Sequence, residues 1–447
     1  MRRKVIIAVI IPALVVAVLL TVACVYLFIV PSLVADCPSA TSDSSGGAVV
    51  IYEVCKGLHK RDLYVQRIGP EGDFRWGEEG ILVGSGYGGV LHAVSDSSGG
   101  AILSWREALP RPKGEPSDSQ IHVAKIDSAG SVRWRRDILG AGEAVKDAVS
   151  DRSGGVIIAY TDGDMNMSVL KIDAEGNLPW GGDGVSLNMG DSYLSDIASD
   201  DSGGVIVVRY GVGNISAQRV GSGGNTLWQT GGVEVCGSLG GEARLVSDGS
   251  GGAIIAFERQ VPGEHGIAYT DSDIYAQRID TEGSILWGPD GVPLRIGPSV
   301  PYEPKIVADD AGGAIIFFVD ERGICAQRID ANGHKLWAED AIQVWEGTYH
   351  HVVSDGFGGA ISVGAEKAQR IDAAGRKMWG SDGTRLNLRG LHLYSISEDG
   401  SGGVLISWVA NRFIIGEFML GATASYAQRV DAEGNILWGD KGILLNR

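Results

Sequence analysis

Short apolar runs alternate with clusters of Gly, Asp and Ser along nearly the whole chain. Eight of these clusters read Ser-Asp-x-x-Gly-Gly or a close variant, and they begin at residues 42, 95, 150, 199, 247, 308, 354 and 398. Each is followed at once by a run such as AVVIY, VIIAY or AIIFF. Asp, Ser and paired Gly form turns, whereas β-branched and aromatic residues favour strands. Each copy therefore predicts a strand, a turn and a second strand.

A second repeated segment alternates with the first. Its last copy reads YAQRVDAEGNILWG, from Tyr426 to Gly439. Asp431 and Gly434 suit a tight hairpin loop, because Gly takes a positive φ without steric cost. In the copy before Trp287, pairing across this loop would place Ile279 opposite Ile285. The segment predicts a third and a fourth strand, with the Trp on the fourth. The eight copies end at Trp76, Trp134, Trp180, Trp228, Trp287, Trp337, Trp379 and Trp438.

Four strands in about 50 residues is the size of one blade of a β-propeller. Eight copies predict an all-β, eight-bladed propeller of four-stranded antiparallel blades over residues 36–447. The runs are apolar on both sides of the strand, as expected where blades pack face to face. A transmembrane barrel needs longer segments of alternating character, and the Gly pairs argue against a helical solenoid. Each Trp is expected to bury about 150–250 Å² between neighbouring blades.

The front of the chain predicts a membrane anchor. A basic tip (1–4) precedes an uncharged apolar segment (5–35), which is long enough to span a bilayer as a helix. The basic residues place the tip in the cytoplasm, and so residues 36–447 outside it. Two alternatives remain open, which are cleavage near Ala35 and lipidation at Cys24 after the lipobox-like Leu20-Thr-Val-Ala. All three predict an extracytoplasmic propeller, and the first predicts a single-pass membrane protein.

Charge and motif content exclude several functions. A net charge of −17 opposes binding to nucleic acid. The five Cys form no C-x-x-C pair, although Cys37 and Cys55 could form a disulfide in an oxidising compartment. His350-His351 is the only His cluster in the sequence. Asp162 and Asp164 are a candidate cation site, with a solvated loop as the alternative. No catalytic, cofactor-binding or metal-binding residues are predicted, and no cofactor.

Two other residues recur in every copy. One is the Asp of the Ser-Asp turn. The other is a basic residue in the third strand, at Arg67, Lys125, Lys171, Arg219, Arg278, Arg328, Arg370 and Arg429. We interpret the Asp as a turn cap and the basic residue as its structural partner, since a residue repeated in every blade is usually structural. Calcium binding by the Asp residues and a ring of cationic ligand sites are the alternatives.

The copies differ mainly in the loops between the second and third strands. Long loops occur at Arg106–Gln120, Glu258–Asp273 and Val409–Ser425. The last is unusually apolar, through Phe413, Ile414, Ile415, Phe418, Met419 and Leu420. Binding residues tend to lie on loops carried by a rigid scaffold. This variable rim is therefore predicted to bind an unknown protein or glycan. The alternative is that the insertion forms an extra hairpin.

The hairpin segment reads D-x-x-G-x-x-x-W in six copies, with Gly69 and Gly221 replacing the Asp in the other two. It resembles the tryptophan-docking motif of pyrroloquinoline-quinone-type propellers, which include eight-bladed dehydrogenases and non-catalytic outer-membrane assembly scaffolds. That family usually has Thr-Gly after Asp-x-x, one residue longer than here. The spacing is also similar to the Asp-box of sialidase-like propellers, but out of register. The adjacent Cys pair of quinone alcohol dehydrogenases is absent, so the resemblance implies a fold and no cofactor.

The sequence thus favours a membrane-anchored binding or scaffold module without catalysis. The alternatives are an extracytoplasmic enzyme, either a glycan-active hydrolase or a quinone-dependent oxidoreductase, and a structural component of the surface or of adhesion. Paired acids projecting into the central channel of the propeller would favour the enzyme.

Overall fold

The computed structural model describes residues 38–446, apart from 58–59, 87–90, 109–118, 139–144, 162–165, 190–191, 212, 238–239, 262–270, 297–300, 340, 349, 389–392, 412–413, 416–417 and 420–422. The predicted tip (1–4) and anchor (5–35) lie outside the described residues, as do Cys24, Cys37, Asp162 and Asp164. Within the part of the chain that is described, we find no helix with the length and apolar character of a membrane span.

The chain forms eight four-stranded antiparallel sheets, each from one continuous stretch of sequence. The first, innermost strands are β1 (Ser39–Ser42), β5 (His92–Ser95), β9 (Val145–Ser150), β13 (Ser192–Ser199), β17 (Gly240–Ser247), β21 (Tyr302–Ala308), β25 (His351–Ser354) and β29 (Leu393–Glu398). The second strands are β2 (Ala48–Gly57), β6 (Ala101–Ala108), β10 (Val156–Thr161), β14 (Val205–Gly211), β18 (Ala253–Val261), β22 (Ala314–Asp320), β26 (Ala360–Val363) and β30 (Val404–Asn411).

The outer half of each blade completes the sheet. The third strands are β3 (Lys60–Ile68), β7 (Ser119–Ile126), β11 (Met167–Ile172), β15 (Asn214–Val220), β19 (Asp271–Ile279), β23 (Gly323–Ile329), β27 (Lys367–Ile371) and β33 (Thr423–Val430). The outermost strands are β4 (Ile81–Gly86), β8 (Val132–Ile138), β12 (Val185–Ser186), β16 (Val233–Cys236), β20 (Val292–Arg295), β24 (Ile342–Trp345), β28 (Thr384–Arg385) and β34 (Ile443–Leu444). The predicted eight-bladed all-β propeller is therefore confirmed.

The Trp of the hairpin segment was expected on the fourth strand, and this is wrong for seven of the eight blades. Ile279 does pair with Ile285 across the loop, as expected. The pairing of the two strands then stops, because the Gln277 side chain forms hydrogen bonds with the backbone groups that would otherwise continue it. Its Oε1 accepts from Trp287 N (3.0 Å), and its Nε2 donates to Gly288 O (2.7 Å). The fourth strand begins after a further turn. In the second blade alone, Trp134 lies within its outermost strand, β8.

The core is divided among the boundaries between blades. Eight clusters of buried apolar side chains each combine residues from two successive blades. At one boundary, for example, Phe317 and Val319 of β22 pack with Ala360 and Ile371 of the next blade. Both faces of the central strands are therefore buried, which explains why the runs after the Ser-Asp turns do not alternate.

The ring closes by packing between the last blade and the first, without exchange of a strand. Innermost strands β29 and β1 lie side by side, and Leu405 and Ala427 share a cluster with Ala48 and Val50. Ser407 Oγ donates to Pro38 O at 2.9 Å. No backbone connection joins these two blades directly, so this seam depends on side-chain contacts.

The apolar loop in the last blade contains the extra hairpin that was the alternative interpretation. Its two short strands are β31 (Ile414–Ile415) and β32 (Phe418–Met419), with Ile414 paired to Met419. Phe413 and Leu420 lie outside the described residues, and so do most of the other two long loops. The binding role of this loop therefore stays a prediction.

Candidate functional site

The repeated Asp residues cap the turns between the first and second strands. Asp43 Oδ1 accepts from the backbone N–H groups of Ser45 (2.9 Å) and Gly47 (2.7 Å), and its Oδ2 accepts from Ser45 Oγ and Arg67 Nε. Burial alone would raise the pKa of Asp43, but these hydrogen bonds and the Arg67 cation hold it below its usual value. The carboxylate oxygens are thus occupied by the protein itself.

The repeated basic residues pair with these carboxylates, as interpreted from the sequence, and they also reach the next blade. Arg328 Nη2 lies 2.9 Å from Asp309 Oδ2, and its Nη1 donates to Ala373 O of the following blade (2.7 Å). The Trp337 indole N–H donates to the same Ala373 carbonyl at 3.2 Å. One backbone oxygen thus joins both side chains to the neighbouring blade.

All eight indole N–H groups donate to the hairpin loop of the following blade in this way. The acceptors, from Trp76 onward, are the carbonyls of Ser128, Ala174, Ser222, Thr281, Ala331, Ala373, Ala432 and Pro70. The Gly of the accepting loop contacts the indole face, and a Cβ on Gly333 would lie 3.1 Å from Trp287 Cδ1. The recurrent Trp, Arg and Asp residues hold blades together, so a ligand site must be sought among residues that do not recur.

Non-recurrent polar residues converge on one layer of the innermost strands. These residues occupy one position in each blade, which is four residues before the turn Asp. In chain order they are Ser39, His92, Asp147, Asp196, Arg244, Lys305, His351 and Ser395. We call this layer the belt. Because the innermost strands contact one another around the ring, these eight positions form a layer around the central channel. Four successive blades contribute a charged residue, two acidic and then two basic.

The same four innermost strands are irregular next to the belt. β9, β13, β17 and β21 each have a register shift within two residues before their belt position. In β21 the irregularity leaves Glu303 at φ 54°, in the left-handed region, and its N–H donates to Glu258 Oε1 (2.9 Å). Bulges re-aim side chains and are frequent beside functional sites. The irregular strands and the charged residues thus coincide.

Asp147 and Asp196 form a carboxyl pair in the belt. A side-chain hydrogen bond links the two groups, although they lie in different blades. Asp147 Oδ1 also accepts from Ala148 N at 2.7 Å, and Asp196 Oδ2 accepts from Leu245 N at 3.0 Å. Burial raises the pKa of both carboxyls, and the negative charge of Asp147 raises that of Asp196 further. The pair therefore holds a proton well above the pH at which an ordinary carboxyl loses it.

The basic side of the belt lies in the next three blades. Arg244 Nη1 donates to Ser195 O at 2.6 Å, and its Nη2 contacts Glu242. Lys305 Nζ lies 4.0 Å from Glu242 Oε1. Burial, together with the charges of Lys305 and Arg244, lowers the pKa of His351 to about 4. At neutral pH this side carries two cations and a neutral imidazole.

His92 stands beside the acidic side of the belt with one nitrogen unused. Burial lowers its pKa and a hydrogen bond to the Val145 backbone raises it, with a net value of about 4. Nε2 is buried and has no hydrogen-bond partner among the described residues, so the bond to Val145 involves Nδ1. Because that bond favours the protonated ring, Nδ1–H is the donor and the neutral ring keeps a free acceptor at Nε2.

A cavity of about 960 Å³ lies between the belt and the rim that carries the Ser-Asp turns. Its inner wall includes Ala93, Ala148, Ile197 and Leu245, each directly after a belt residue. Its outer wall includes Ser95, Ser150, Ser199 and Ser247, together with Arg152, Asp201 and Asp310. We call this outer part the mouth.

The mouth carries mutually repelling carboxylates. Arg152 Nη2 lies 3.0 Å from Asp201 Oδ1 and is the cation of this group. Burial raises the pKa of Glu398, and the negative charge of Asp310 raises it further.

A second cavity, of about 560 Å³, lies away from the channel between the last two blades, and Glu366, Arg385 and Asp440 contribute to its lining.

The structure separates the candidates considered from the sequence. His351 lies in the belt, whereas His350 is buried against Phe317, with 6.1 Å between ring centroids. Among the described residues no group of three or more His, Cys, Asp or Glu is arranged to hold a metal ion. Cys236 and Cys325 are both buried. The disulfide between Cys37 and Cys55 stays a prediction, because Cys37 lies outside the described residues.

The belt was missed from the sequence although a signal for it exists. The repeat is most regular after each turn, in the apolar strand that follows, and least regular before it. Alignment on the Ser-Asp turn and a step three residues back would have shown a column that changes from Ser to His, Asp, Arg and Lys. In a channel-lining strand, such variation at one register position indicates a site rather than packing.

Comparisons with known proteins give structural likenesses alone. No family model matches the chain, and no curated protein matches its sequence. The BP39L lectin from Burkholderia pseudomallei aligns over 91% of this chain and 98% of its own, with 10% identity and a TM-score of 0.46. A puromycin hydrolase aligns over 81% of this chain, with 16% identity and a TM-score of 0.45. This chain covers 53% of that hydrolase, about half of its length. Hsv2 from Kluyveromyces lactis aligns over 90% of this chain and 96% of its own, with 12% identity and a TM-score of 0.36. At these scores the likenesses assign no function.

Proposed function

We propose that this protein is an extracytoplasmic binding module, anchored in the membrane by residues 5–35, and that its ligand site is the central channel. The observation that carries the proposal is the convergence of non-recurrent charged side chains on the belt, beside a cavity of about 960 Å³. Ligand sites are typically concave, with volumes of about 300–1,000 Å³ and a few convergent polar groups. The variable rim, including the hairpin Ile414–Met419, would engage a protein or glycan partner.

Binding is favoured over catalysis by the contact between Asp147 and Asp196. Paired acids in the channel are the feature that favours an enzyme, and a glycan-active hydrolase is the enzyme class they suggest. However, glycosidases keep their two carboxyl groups about 5 Å or more apart, to leave room for the sugar or a water molecule. The two belt carboxyls are joined by a direct hydrogen bond, which is much shorter. This geometry suits binding of one donor group by both carboxyls better than attack on a glycosidic bond.

A plugged channel tests the location of the site. Ala198 lines the cavity, and Ala198→Trp would fill it. Leu286→Trp is the matched control, since Leu286 is 45% exposed on an outer hairpin. The purified protein is incubated with an envelope extract, and retained small molecules and proteins are identified by mass spectrometry. We expect a small molecule that the unmodified protein and the control retain and the plugged variant does not. Retention by all three proteins, or by none, would contradict the proposal.

Anchoring is tested separately. Protease added to intact cells should digest residues 36–447 and leave a short fragment with residues 5–35 in the membrane fraction. A propeller that resists protease until the cells are lysed would contradict an extracytoplasmic location.

A further inference from the structure

We infer that the channel binds a linear organic polycation, with one ammonium group held in the belt by Asp147 and Asp196 and a second held at the mouth by Asp201, Asp310 and Glu398. This inference rests on the proposed function, because it requires the channel to be the ligand site. It commits to aliphatic di- and polyamines as the class of ligand.

The balance of charge favours a cation. Six carboxylates lie in or beside the belt and the mouth, namely those of Asp147, Asp196, Asp201, Glu242, Asp310 and Glu398. The cations that interact with them there are Arg152, Arg244 and Lys305. The two imidazoles of the belt are neutral at pH 7, because burial lowers the pKa of each to about 4. Even when Asp147 and Asp196 share one proton, the negative charges outnumber these cations, and a bound cation would relieve their mutual repulsion.

Unused acceptors at the belt point to a ligand that donates hydrogen bonds. His92 Nε2 is buried and without a partner among the described residues, and it sits at the belt position next to that of Asp147. A primary ammonium has three donors and no acceptor. Its three donors match two carboxyl groups and one ring nitrogen in the belt. A neutral polyol would satisfy the nitrogen but leave the excess negative charge uncompensated.

The spacing of the two acidic groups favours a chain rather than a compact ion. Three residues of extended strand separate the belt from the start of the turns, which is about 10 Å at 3.3 Å per residue. The cavity occupies this interval, and its wall includes Val94, Val149, Ala198 and Val246. Methylene groups suit such a wall, whereas a hydrated divalent ion does not. The described residues also offer no cluster of three metal-binding side chains.

The test measures amine binding by the full chain purified in detergent. Spermidine is titrated into the protein in a calorimeter at pH 8 and low salt. Asp196→Asn keeps the size of the side chain and removes its charge, and Asp147→Asn is the second variant. Asp440→Asn is the matched control, because Asp440 is exposed and lines the other cavity. We expect each belt variant to lose at least about tenfold in affinity, since a charge-assisted hydrogen bond is removed, and the control to lose none.

Three further ligands separate the outcomes. Butylamine should bind more weakly than spermidine, since it reaches one acidic group, and 1,8-octanediol should not bind. Mg²⁺ binding that matches spermidine, with the same dependence on Asp196, would overturn the inference in favour of a metal. Spermidine binding that Asp440→Asn weakens as much as Asp196→Asn would show general attraction to an acidic surface and also overturn it. If no amine binds, while the plugged-channel assay still recovers a neutral or anionic molecule, this inference fails and the proposed function stands.

Discussion

The seam between the last blade and the first offers the sharpest test of how this ring is held together. Trp438 is 5% exposed, its indole N–H donates to Pro70 O at 3.0 Å, and it contacts Gly72 of the first blade. Burial of about 150–250 Å² at 25 cal/mol per Å² amounts to about 4–6 kcal/mol, which is an upper bound. Core Trp→Ala substitutions typically cost about 3–5 kcal/mol. We expect Trp438→Ala to lower the free energy of unfolding by a similar amount, measured by urea denaturation and circular dichroism.

The matched variant is Trp379→Ala, one boundary earlier. Trp379 is 8% exposed and donates to Ala432 O at 2.9 Å, so its local contacts are nearly the same. Its two blades, however, are also joined by the chain. Hydrogen exchange should therefore rise in β1 and β34 with Trp438→Ala, and much less around the boundary of Trp379. A loss below about 1 kcal/mol at Trp438, or equal exchange at both boundaries, would refute the view that indole docking closes the ring.

Three other substitutions test the repeat and the belt. Gly333→Ala should lower stability by more than Gly288→Ala. Both residues have a positive φ, which costs Ala about 1–2 kcal/mol, but only at Gly333 would the new Cβ also meet an indole. Equal losses of stability in urea denaturation would contradict the docking contact. Arg429→Met should lower the free energy of unfolding by about 3 kcal/mol or more at pH 7, because it leaves the buried Asp399 carboxylate without its cation. Adding Asp399→Asn should recover part of this loss, and no recovery would argue against the ion pair. Asp196→Asn should stabilise the protein, and the gain should grow by about 1 kcal/mol or more between pH 4 and pH 8. The reason is that Asp196 binds a proton more tightly in the native protein than in the unfolded chain, because its pKa is raised. The stability of the unmodified protein therefore falls as pH rises through this range. A gain independent of pH would refute the raised pKa of Asp196.

Much of the fold was predictable because the determining interactions are local and occur eight times. The turn Asp bonds to N–H groups two and four residues ahead, so the Ser-Asp-x-x-Gly-Gly pattern carries its own geometry. The hairpin loop is equally local, with Ile279 opposite Ile285 as expected. The position of the fourth strand was wrong, because Gln277 replaces the ladder bonds beside Trp287 with its own side chain. An alternating pattern of apolar and polar residues does not show that a side chain will take the place of backbone hydrogen bonds.

The candidate site was not predictable in the same way, since its members are about 50 residues apart and in different local contexts. Asp147 and Asp196 become neighbours because successive innermost strands lie side by side around a closed ring. Burial raises the pKa of both carboxyls, and the nearby charge of Asp147 raises that of Asp196 further. Neither the burial nor the proximity is a property of either segment alone. His92 likewise acquires a free acceptor only through its bond to Val145 of the next blade.

By itself, the sequence determined that the described chain is built from eight turn-rich, four-stranded units with an indole in each, because turn chemistry and strand propensity act over a few residues. The tertiary structure decided what those units do to one another. Ring closure directs each Trp and Arg to a carbonyl of the following blade, and it brings the one variable register position of the innermost strands into a single charged layer. That layer exists because charges from separate segments interact only when the closed ring brings them within a few ångströms and removes the water between them.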